Sequence, residues 1–458
     1  MIETRQYTGQ TVAVMGFGRS GRTAARALQA SGARIRVWDD DPARRIDAGG
    51  EGFEVVDLTG IDWRDIACLL WSPGIPHIWP APHPVARAAR AVGVVPVCDV
   101  ELLMQSRPVA RCIGVTGTNG KSTTTALIAH ILAFAGHPAA AGGNLGLPVL
   151  EFPFFGPGGV YVIELSSYQL ELTPSLALDG GVLLNITPDH LHRHGGMEGY
   201  IAAKRRLFAG LKPTGTAVVG MDDTPSAAVR ETLLERGFPV IPVSVRDPVG
   251  VHVTGGVLAD ENGEVVADLS AAPALPGRHN GQNAAAAFAA TRALGVAPAT
   301  IAAALRTFPG LAHRQELVAV IDGVRYVNDS KATNADATEK ALTCYDALYW
   351  IAGGRPKEGG ITALTPLFPR VRHAFLIGEA APAFNRTLEG RVPGTQCGTL
   401  AVAVAEAHAM AARERIPGAV VLLSPACASW DQFESFEQRG TVFRELVAAL
   451  PGRREVLP

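Results

Sequence analysis

The sequence predicts an α/β protein of three consecutive doubly wound units, and three observations carry that prediction. Short apolar runs alternate with alanine-rich helical stretches along the whole chain, a pattern that yields parallel sheets. Two glycine-rich turns each stand between an apolar run and a helical stretch, at residues 16–21 and 116–122. Breaks at Ser106-Arg107-Pro108 and Phe308-Pro309-Gly310 cut the 458 residues into three lengths of single-domain size. The expected domains are 1–106, 107–310 and 311–458.

The elements follow in order. In the first domain Thr11–Met15 reads as a strand and 20–30 as an alanine-rich helix. Residues 35–38 form a second strand ending in Asp39-Asp40-Asp41. A strand at 67–71 and a helix near 85–91 complete the pattern. The second domain opens with a strand at 109–115 and a helix at 122–134. It continues with strands at 160–163 and 181–185 and helices at 197–208 and 283–294. The third has strands near 317–321, 325–327, 348–352, 374–377 and 420–423, closed by a helix near 435–450.

Composition removes several function classes. The formal net charge is −2 and no basic block occurs, which argues against a nucleic-acid partner. No apolar run approaches the ~20 residues of a membrane helix, and the N-terminus lacks the apolar centre of a signal peptide. Cys68, Cys98, Cys112, Cys344, Cys397 and Cys427 are scattered without a C-x-x-C pair. They read as buried thiols of a reducing cytoplasm rather than as disulfides or a zinc site.

The strongest chemical signal is Thr116-Gly117-Thr118-Asn119-Gly120-Lys121-Ser122. Small residues let the backbone approach phosphate oxygens, free amides cradle them, Lys121 adds charge, and the Ser122 hydroxyl can hold Mg²⁺. The central unit therefore reads as a P-loop nucleotide domain. Gly16-Phe17-Gly18-Arg19-Ser20-Gly21, with Asp39 ending the next strand, fits the dinucleotide fingerprint of a Rossmann-like domain. The same physics serves any diphosphate nucleotide, and a plain tight turn also accounts for it. Glu164 ends an apolar strand, where an acid beside a phosphate loop binds Mg²⁺. His190, in Asn185-Ile186-Thr187-Pro188-Asp189-His190, is a candidate ligand for a second metal. His192 and His194 lack the thiol partner and spacing of a zinc site. Lys204 reads, on its own, as part of a solvated helix face. Asn328-Asp329-Ser330-Lys331-Ala332-Thr333-Asn334 follows a strand of the third unit, where open sheets bind ligands. Its alternative is a cap for the next helix. Arg314 could reach a transferred phosphoryl group or form a salt bridge between domains.

Taken together, these stretches resemble the Mur ligases, the ATP-dependent amide ligases of bacterial cell-wall precursor synthesis. Arg278-His279-Asn280 with Asn283, His313-Arg314 and the segment Ser424-Pro425-Ala426-Cys427-Ala428-Ser429-Trp430-Asp431-Gln432-Phe433 extend the likeness to nearly the whole chain. The resemblance implies a Rossmann-like N-terminal domain that binds UDP rather than NAD, a central P-loop ATPase-like domain and a C-terminal Rossmann-like α/β domain. It implies UDP-substrate contacts at Gly18, Arg19, Ser20, Asp39, Ser72, Asn144 and His190. For ATP it implies Gly117, Thr118, Asn119, Gly120, Lys121, Ser122, Thr123, Asn283, Arg314 and Asp329. The incoming amino acid would meet Lys331, Thr333, Lys357, Ser429 and Phe436. Two Mg²⁺ ions would be held by Ser122, Glu164, His190 and Lys204, with Lys204 carbamylated by CO₂. The catalytic set would be Lys121, Glu164, His190, Lys204 and Arg314.

The implied reaction adds D-glutamate to UDP-N-acetylmuramoyl-L-alanine (UDP-MurNAc-L-Ala) at the expense of ATP, through an acyl phosphate. The protein would act as a cytoplasmic monomer on small molecules. Two rivals remain at the level of sequence. An NAD or nucleotide-sugar oxidoreductase explains residues 16–21 and Asp39 but leaves Lys121 and Glu164 idle. A non-catalytic ATP switch predicts no sugar-nucleotide binding.

Overall fold

In the computed structural model, which describes residues 2–144 and 146–455, three sheets follow one another along the chain. The first contains β1 (Thr11–Met15), β2 (Arg34–Trp38), β3 (Glu54–Val55), β4 (Ile66–Trp71) and β5 (Pro96–Val97), ordered β3-β2-β1-β4-β5. Its pairings are parallel. Every residue of β1 is buried, as expected where helices cover both faces of a parallel sheet.

The second sheet contains β6 (Arg111–Thr116), β7 (Ala139–Gly143), β8 (Val160–Glu164), β9 (Leu178–Leu183) and β10 (Leu211–Gly220). It continues with β11 (Val240–Ser244), β12 (Val251–Thr254), β13 (Val257–Ala259) and β14 (Val265–Asp268). The order is β14-β13-β12-β11-β10-β9-β6-β8-β7, parallel from β7 to β12 and antiparallel beyond. The register places Val115 beside Glu164 and Thr116 beside Leu183. The phosphate loop, Glu164 and the segment leading to His190 therefore leave the same edge of three adjacent strands.

The third sheet contains β15 (Glu316–Ile321), β16 (Val324–Asn328), β17 (Leu348–Gly353), β18 (Val371–Ile377), β19 (Gly394–Gly398) and β20 (Val420–Leu423), ordered β15-β16-β20-β17-β18-β19. Only β15–β16 is antiparallel. Its strands feed two cores by strict alternation. Trp350, Ala352, Leu376 and Leu422 point to one face, and Tyr349, Ile351, Phe375 and Leu423 to the other. Both faces being apolar, the strands read as continuous runs.

By contact, the chain divides into two compact units. One comprises residues up to Leu269 with Asn280–Leu305; the other comprises Ser270–His279 and Arg306 onward. The first two sheets belong to the first unit and share one apolar core. Among the described residues no helix is long and apolar enough to cross a membrane. All six cysteines are free; Cys344 and Cys397 are only half-buried, against the expectation of six buried thiols. The helix expected over 283–294 begins earlier, at Arg278–Ala293.

Candidate active site

The phosphate loop is built as its sequence requires. β6 ends at Thr116, Gly120 takes a left-handed φ of 85°, and the helix Lys121–Phe134 follows at once. A side chain at Gly120 would collide with the carboxamide of Asn283, so glycine is needed for conformation and for space. Asn283 is fixed in turn: its Oδ1 accepts from Thr124 Oγ1 at 3.1 Å and its Nδ2 donates to Asn280 Oδ1 at 2.9 Å. The loop is also held from β9. Thr118 N–H donates to Asn185 O at 2.8 Å, and Asn119 N–H to Asn185 Oδ1 at 2.9 Å. Asn185 Nδ2 donates to Gln282 Oε1 at 2.9 Å, and Gln282 Nε2 to Asp222 Oδ2 at 3.0 Å. Ser122 and Thr123 are the second and third residues of the helix, where amides and hydroxyls face a bound anion.

Two lysines meet at one carbonyl. Lys121 Nζ donates to Gly117 O and Thr118 O, both at 2.9 Å, and Lys204 Nζ donates to Gly117 O at 2.7 Å. Lys204 is 1% exposed, which corrects its reading as a solvated helix face. The helix Met197–Ala209 buries Lys204 on the side that also buries Ala203, Leu207 and Phe208. Burial drives its pKa well below the ordinary lysine value, Lys121 lowers it further, and Asp189 opposes both. Its Nζ lies 4.7 Å from the Tyr200 ring centre, and Tyr200 Oη is 3.1 Å from Thr118 Oγ1.

Glu164 is 2% exposed at the end of β8, and its Oε1 accepts from Asn144 Nδ2 at 2.9 Å. His190 has a φ of 52°. Its ring lies 5.4 Å from Tyr168, and its Nε2 is 3.4 Å from Asp189 Oδ2. Burial lowers the His190 pKa against the pull of Asp189, which favours a neutral, ligating imidazole. Among the described residues no three His, Cys, Asp or Glu side chains form a metal cage. Ser122 and Glu164 fit Mg²⁺ nonetheless, because that ion takes few protein ligands and completes its shell with water and phosphate oxygens.

At the first sheet, Gly18 caps the helix Arg19–Ala30. Asp39 is buried; its Oδ2 accepts from Phe17 N–H at 2.6 Å and its Oδ1 from Asp41 N–H at 2.9 Å. One oxygen thus holds the glycine turn and the other the loop that follows β2. Asp99 is buried, and burial pushes its carboxyl up to about 6, although the Val100 amide and Ser20 pull it down. Ser72 Oγ donates to Gly16 O at 3.2 Å.

The second unit gathers its own cluster at the ends of β16, β20 and β17. Asp329 is 4% exposed. Its Oδ1 accepts from Gln315 N–H at 3.1 Å and its Oδ2 from Ser424 Oγ at 2.8 Å. Burial raises its pKa to about 7, although these bonds and the charge of Arg314 pull it down. Arg314 sits between His313 and Gln315, both at positive φ. Lys331 Nζ lies 3.8 Å from the Phe436 ring centre, and Thr333 N–H donates to Lys331 O. The segment 328–334 also caps the next helix, through Asn334, whose side chain accepts from Ala337 N–H. Ser429 is buried, whereas Lys357 is exposed.

Sequence reasoning missed Arg439. Fully buried, it donates to Ser330 Oγ at 2.9 Å, Ser330 O at 2.8 Å, Cys427 O at 3.2 Å and Ala428 O at 3.4 Å. It thereby ties the strand-end segment of Lys331 to that of Ser429. Nothing local marks it: an arginine on a terminal helix ordinarily faces water.

Comparison with known proteins supplies what geometry leaves open. The Mur ligase middle domain matches residues 115–291, and the NAD-binding domain of S-adenosyl-L-homocysteine hydrolase matches residues 4–69. The chain is 57% identical to the UDP-N-acetylmuramoylalanine–D-glutamate ligase of Rhodospirillum rubrum, over 99% of this chain and 98% of that one. It is 51% identical to the ligase of the same description from Phenylobacterium zucineum, over 98% of each. Among solved structures, UDP-N-acetylmuramate-alanine ligase of Thermotoga maritima is similar with a TM-score of 0.61 at 17% identity, covering 96% of this chain and 99% of that one. That last likeness concerns the fold.

Proposed function

The chain belongs to the Mur ligases, and from that premise we propose that it is a UDP-N-acetylmuramoylalanine–D-glutamate ligase: an ATP-dependent enzyme of peptidoglycan precursor synthesis that joins D-glutamate to UDP-MurNAc-L-Ala. One observation carries the reading, the 57% identity to a ligase of that name along essentially both chains. The geometry supports it, because two lysine nitrogens converge on one carbonyl of a phosphate loop. The NAD reading is weaker here, because it gives no role to Lys121 in the phosphate loop or to Glu164 at the adjacent strand end.

The reaction has two steps. An oxygen of the alanyl carboxylate attacks the γ-phosphorus of ATP; the new P–O bond forms, the bond to ADP breaks, and an acyl phosphate results. The D-glutamate amine then attacks the acyl carbon. The C–O bond to phosphate breaks, the amine loses a proton, and amide and phosphate leave. The first step brings two anions together, so it needs positive charge at the γ-phosphate. Gly117, Thr118, Asn119 and Gly120 would cradle the phosphates, with Lys121 supplying charge and Thr123 and Asn283 completing the nucleotide contacts. Arg314 and Asp329 would be further nucleotide contacts.

Ser122, Glu164, His190 and Lys204 would hold two Mg²⁺ ions, which when bound neutralise phosphate charge. Burial favours the neutral amine of Lys204, the form that is a nucleophile for CO₂. Its carbamate would carry the negative charge that a metal ligand needs, with one proton released. Gly18, Arg19, Ser20, Asp39, Ser72, Asn144 and His190 would receive the UDP-substrate. Lys331, Thr333, Lys357, Ser429 and Phe436 would receive D-glutamate. In this reading the enzyme works in the cytoplasm, where its ATP and UDP-precursor are available, as a monomer of domains 1–106, 107–310 and 311–458.

The test is purified turnover. Phosphate release should require UDP-MurNAc-L-Ala and D-glutamate together, with a product of the mass of the amide. ¹⁸O in the acceptor carboxylate should appear in the released phosphate. Release with neither substrate, or phosphate without label during synthesis, overturns the reading.

A further inference from the structure

We propose that Arg193 is a positioning residue that sets the distance between the loop carrying Ser72 and the phosphate loop; this rests on the reading of Ser72 as an acceptor contact. Arg193 lies three residues after His190. Its Nη1 donates to Gly74 O at 2.7 Å and its Nη2 to Pro73 O at 3.4 Å. Its guanidinium covers the Tyr168 ring at 4.5 Å. The Tyr168 ring lies 5.4 Å from His190 and stacks on His194 at 5.3 Å. His194 meets Tyr200 at 5.4 Å, and Tyr200 Oη reaches Thr118 of the phosphate loop at 3.1 Å. One column of touching groups thus runs from the carbonyls just after Ser72 to the phosphate loop.

Two further ties hold the same joint. The Trp79 indole lies against Gly195, where a Cβ would stand 2.9 Å from its Cε2. Glu171 is shared by His194 Nδ1 at 3.1 Å and His77 Nε2 at 3.9 Å. The Ser72 loop is anchored to its own sheet by Ser72 Oγ to Gly16 O and by Trp71 Nε1 to Ile75 O. Arginine suits the joint because its planar fork reaches two successive carbonyls while its face stacks on a ring; an ammonium group cannot do both.

The chemistry makes this distance matter. The acceptor carboxylate, held from the Ser72 side, must come within about 3–3.5 Å of the γ-phosphorus, and a misplacement of about 1 Å costs roughly 10²-fold. Arg193→Ala should therefore lower kcat by roughly 30- to 100-fold. KM for ATP and for UDP-MurNAc-L-Ala, and the directly titrated affinity for each, should stay within about threefold of wild type. Arg193→Lys, which keeps charge but loses the fork, should remain within about threefold of the alanine variant.

The experiment is steady-state kinetics with calorimetric titration of UDP-MurNAc-L-Ala and a non-hydrolysable ATP analogue, on variants whose melting is checked first. Arg193→Gln, which keeps one donor and most of the length, carries the test if Arg193→Ala does not fold. Wild-type kcat in the alanine variant, or recovery in the lysine variant, overturns the inference. So does a loss confined to KM. Failure of the wild type to bind UDP-MurNAc-L-Ala would instead overturn the functional reading beneath it.

Discussion

The phosphate-loop cluster of the first unit and the Asp329 cluster of the second each bury an ionisable group at the carboxyl ends of parallel strands. Lys204 is 1% exposed and Asp329 is 4% exposed. Burial pushes the lysine's pKa down and the acid's up to about 7, so both groups move toward their neutral form. The difference lies in their partners. Asp329 receives two hydrogen bonds, from Gln315 N–H and Ser424 Oγ. Lys204 shares a single carbonyl with a second lysine. The second unit gives its buried group two donors of its own; the first places two amines on one carbonyl beside the phosphate loop. Such a site trades stability for function.

The largest expected effect follows from that contrast. Lys121→Ala should cost about 3–4 kcal/mol of transition-state stabilisation, or roughly 10²–10³ in kcat, by comparison with the loss of one oxyanion donor. Phosphate release under saturating substrates measures it. Lys204→Met should also abolish turnover, yet raise the melting temperature of the ligand-free protein by a few degrees, roughly 1 kcal/mol, because it replaces a buried amine with an apolar chain of similar length. A melting temperature that falls instead would show that Gly117 O gains more from the second lysine than burial costs.

Asp329 tests the other side. Its folded pKa of about 7 lies above the ordinary carboxyl value of 3.8. Between those values the folded state binds more protons than the unfolded state, so this group's contribution to stability falls as pH rises through the window. Asp329→Asn removes that titration while keeping the shape. Relative to wild type, the variant should gain stability from pH 5 to pH 8, read as the difference between their melting temperatures. A constant difference would place the carboxyl's titration outside the window.

Much of this was legible in sequence. The phosphate loop, the strand-end Glu164 and the Asn328–Asn334 segment (residues 328–334) depend on local patterns of glycine, charge and periodicity, and each falls at a strand end in the structure. One hairpin went unread although its turn was visible, and a second was read only as the strands near 317–321 and 325–327 without its turn. Gly255-Gly256 and Asp322-Gly323 are two-residue loops with both residues at positive φ, joining Thr254 to Val257 and Ile321 to Val324, as the right-handed twist of hairpins prefers. What could not be read is burial of charge. Lys204 and Arg439 sit on helices with ordinary polar neighbours, and only the tertiary fold decides that these faces turn inward.

How each unit holds its loops gives the two smaller predictions. In the second unit one residue does it. Arg439 stays charged at neutral pH, its pKa lowered by burial only to about 10. In Arg439→Met, Ala428 O keeps the Arg355 N–H and Ser330 Oγ keeps Phe436 O, while Cys427 O and Ser330 O lose the guanidinium. With about 1–3 kcal/mol for each buried group left unmade, partly offset by the apolar replacement, the variant should lose about 2–4 kcal/mol in denaturant unfolding. In the first unit the work passes through neutral amides, from Asp222 to Gln282 to Asn185 to Asn119 N–H. Gln282→Ala removes one anchor of Asn185 but leaves its bonds to the loop, Oδ1 from Asn119 N–H, Nδ2 to Asn119 O and O from Thr118 N–H, so about 1 kcal/mol should be lost. The consequence should be a rise in KM for ATP of roughly fivefold, with kcat little changed, because ground and transition states use the same cradle. If kcat falls more than KM rises, the relay shapes the γ-phosphate's position in the transition state, and the first unit is the more finely positioned of the two.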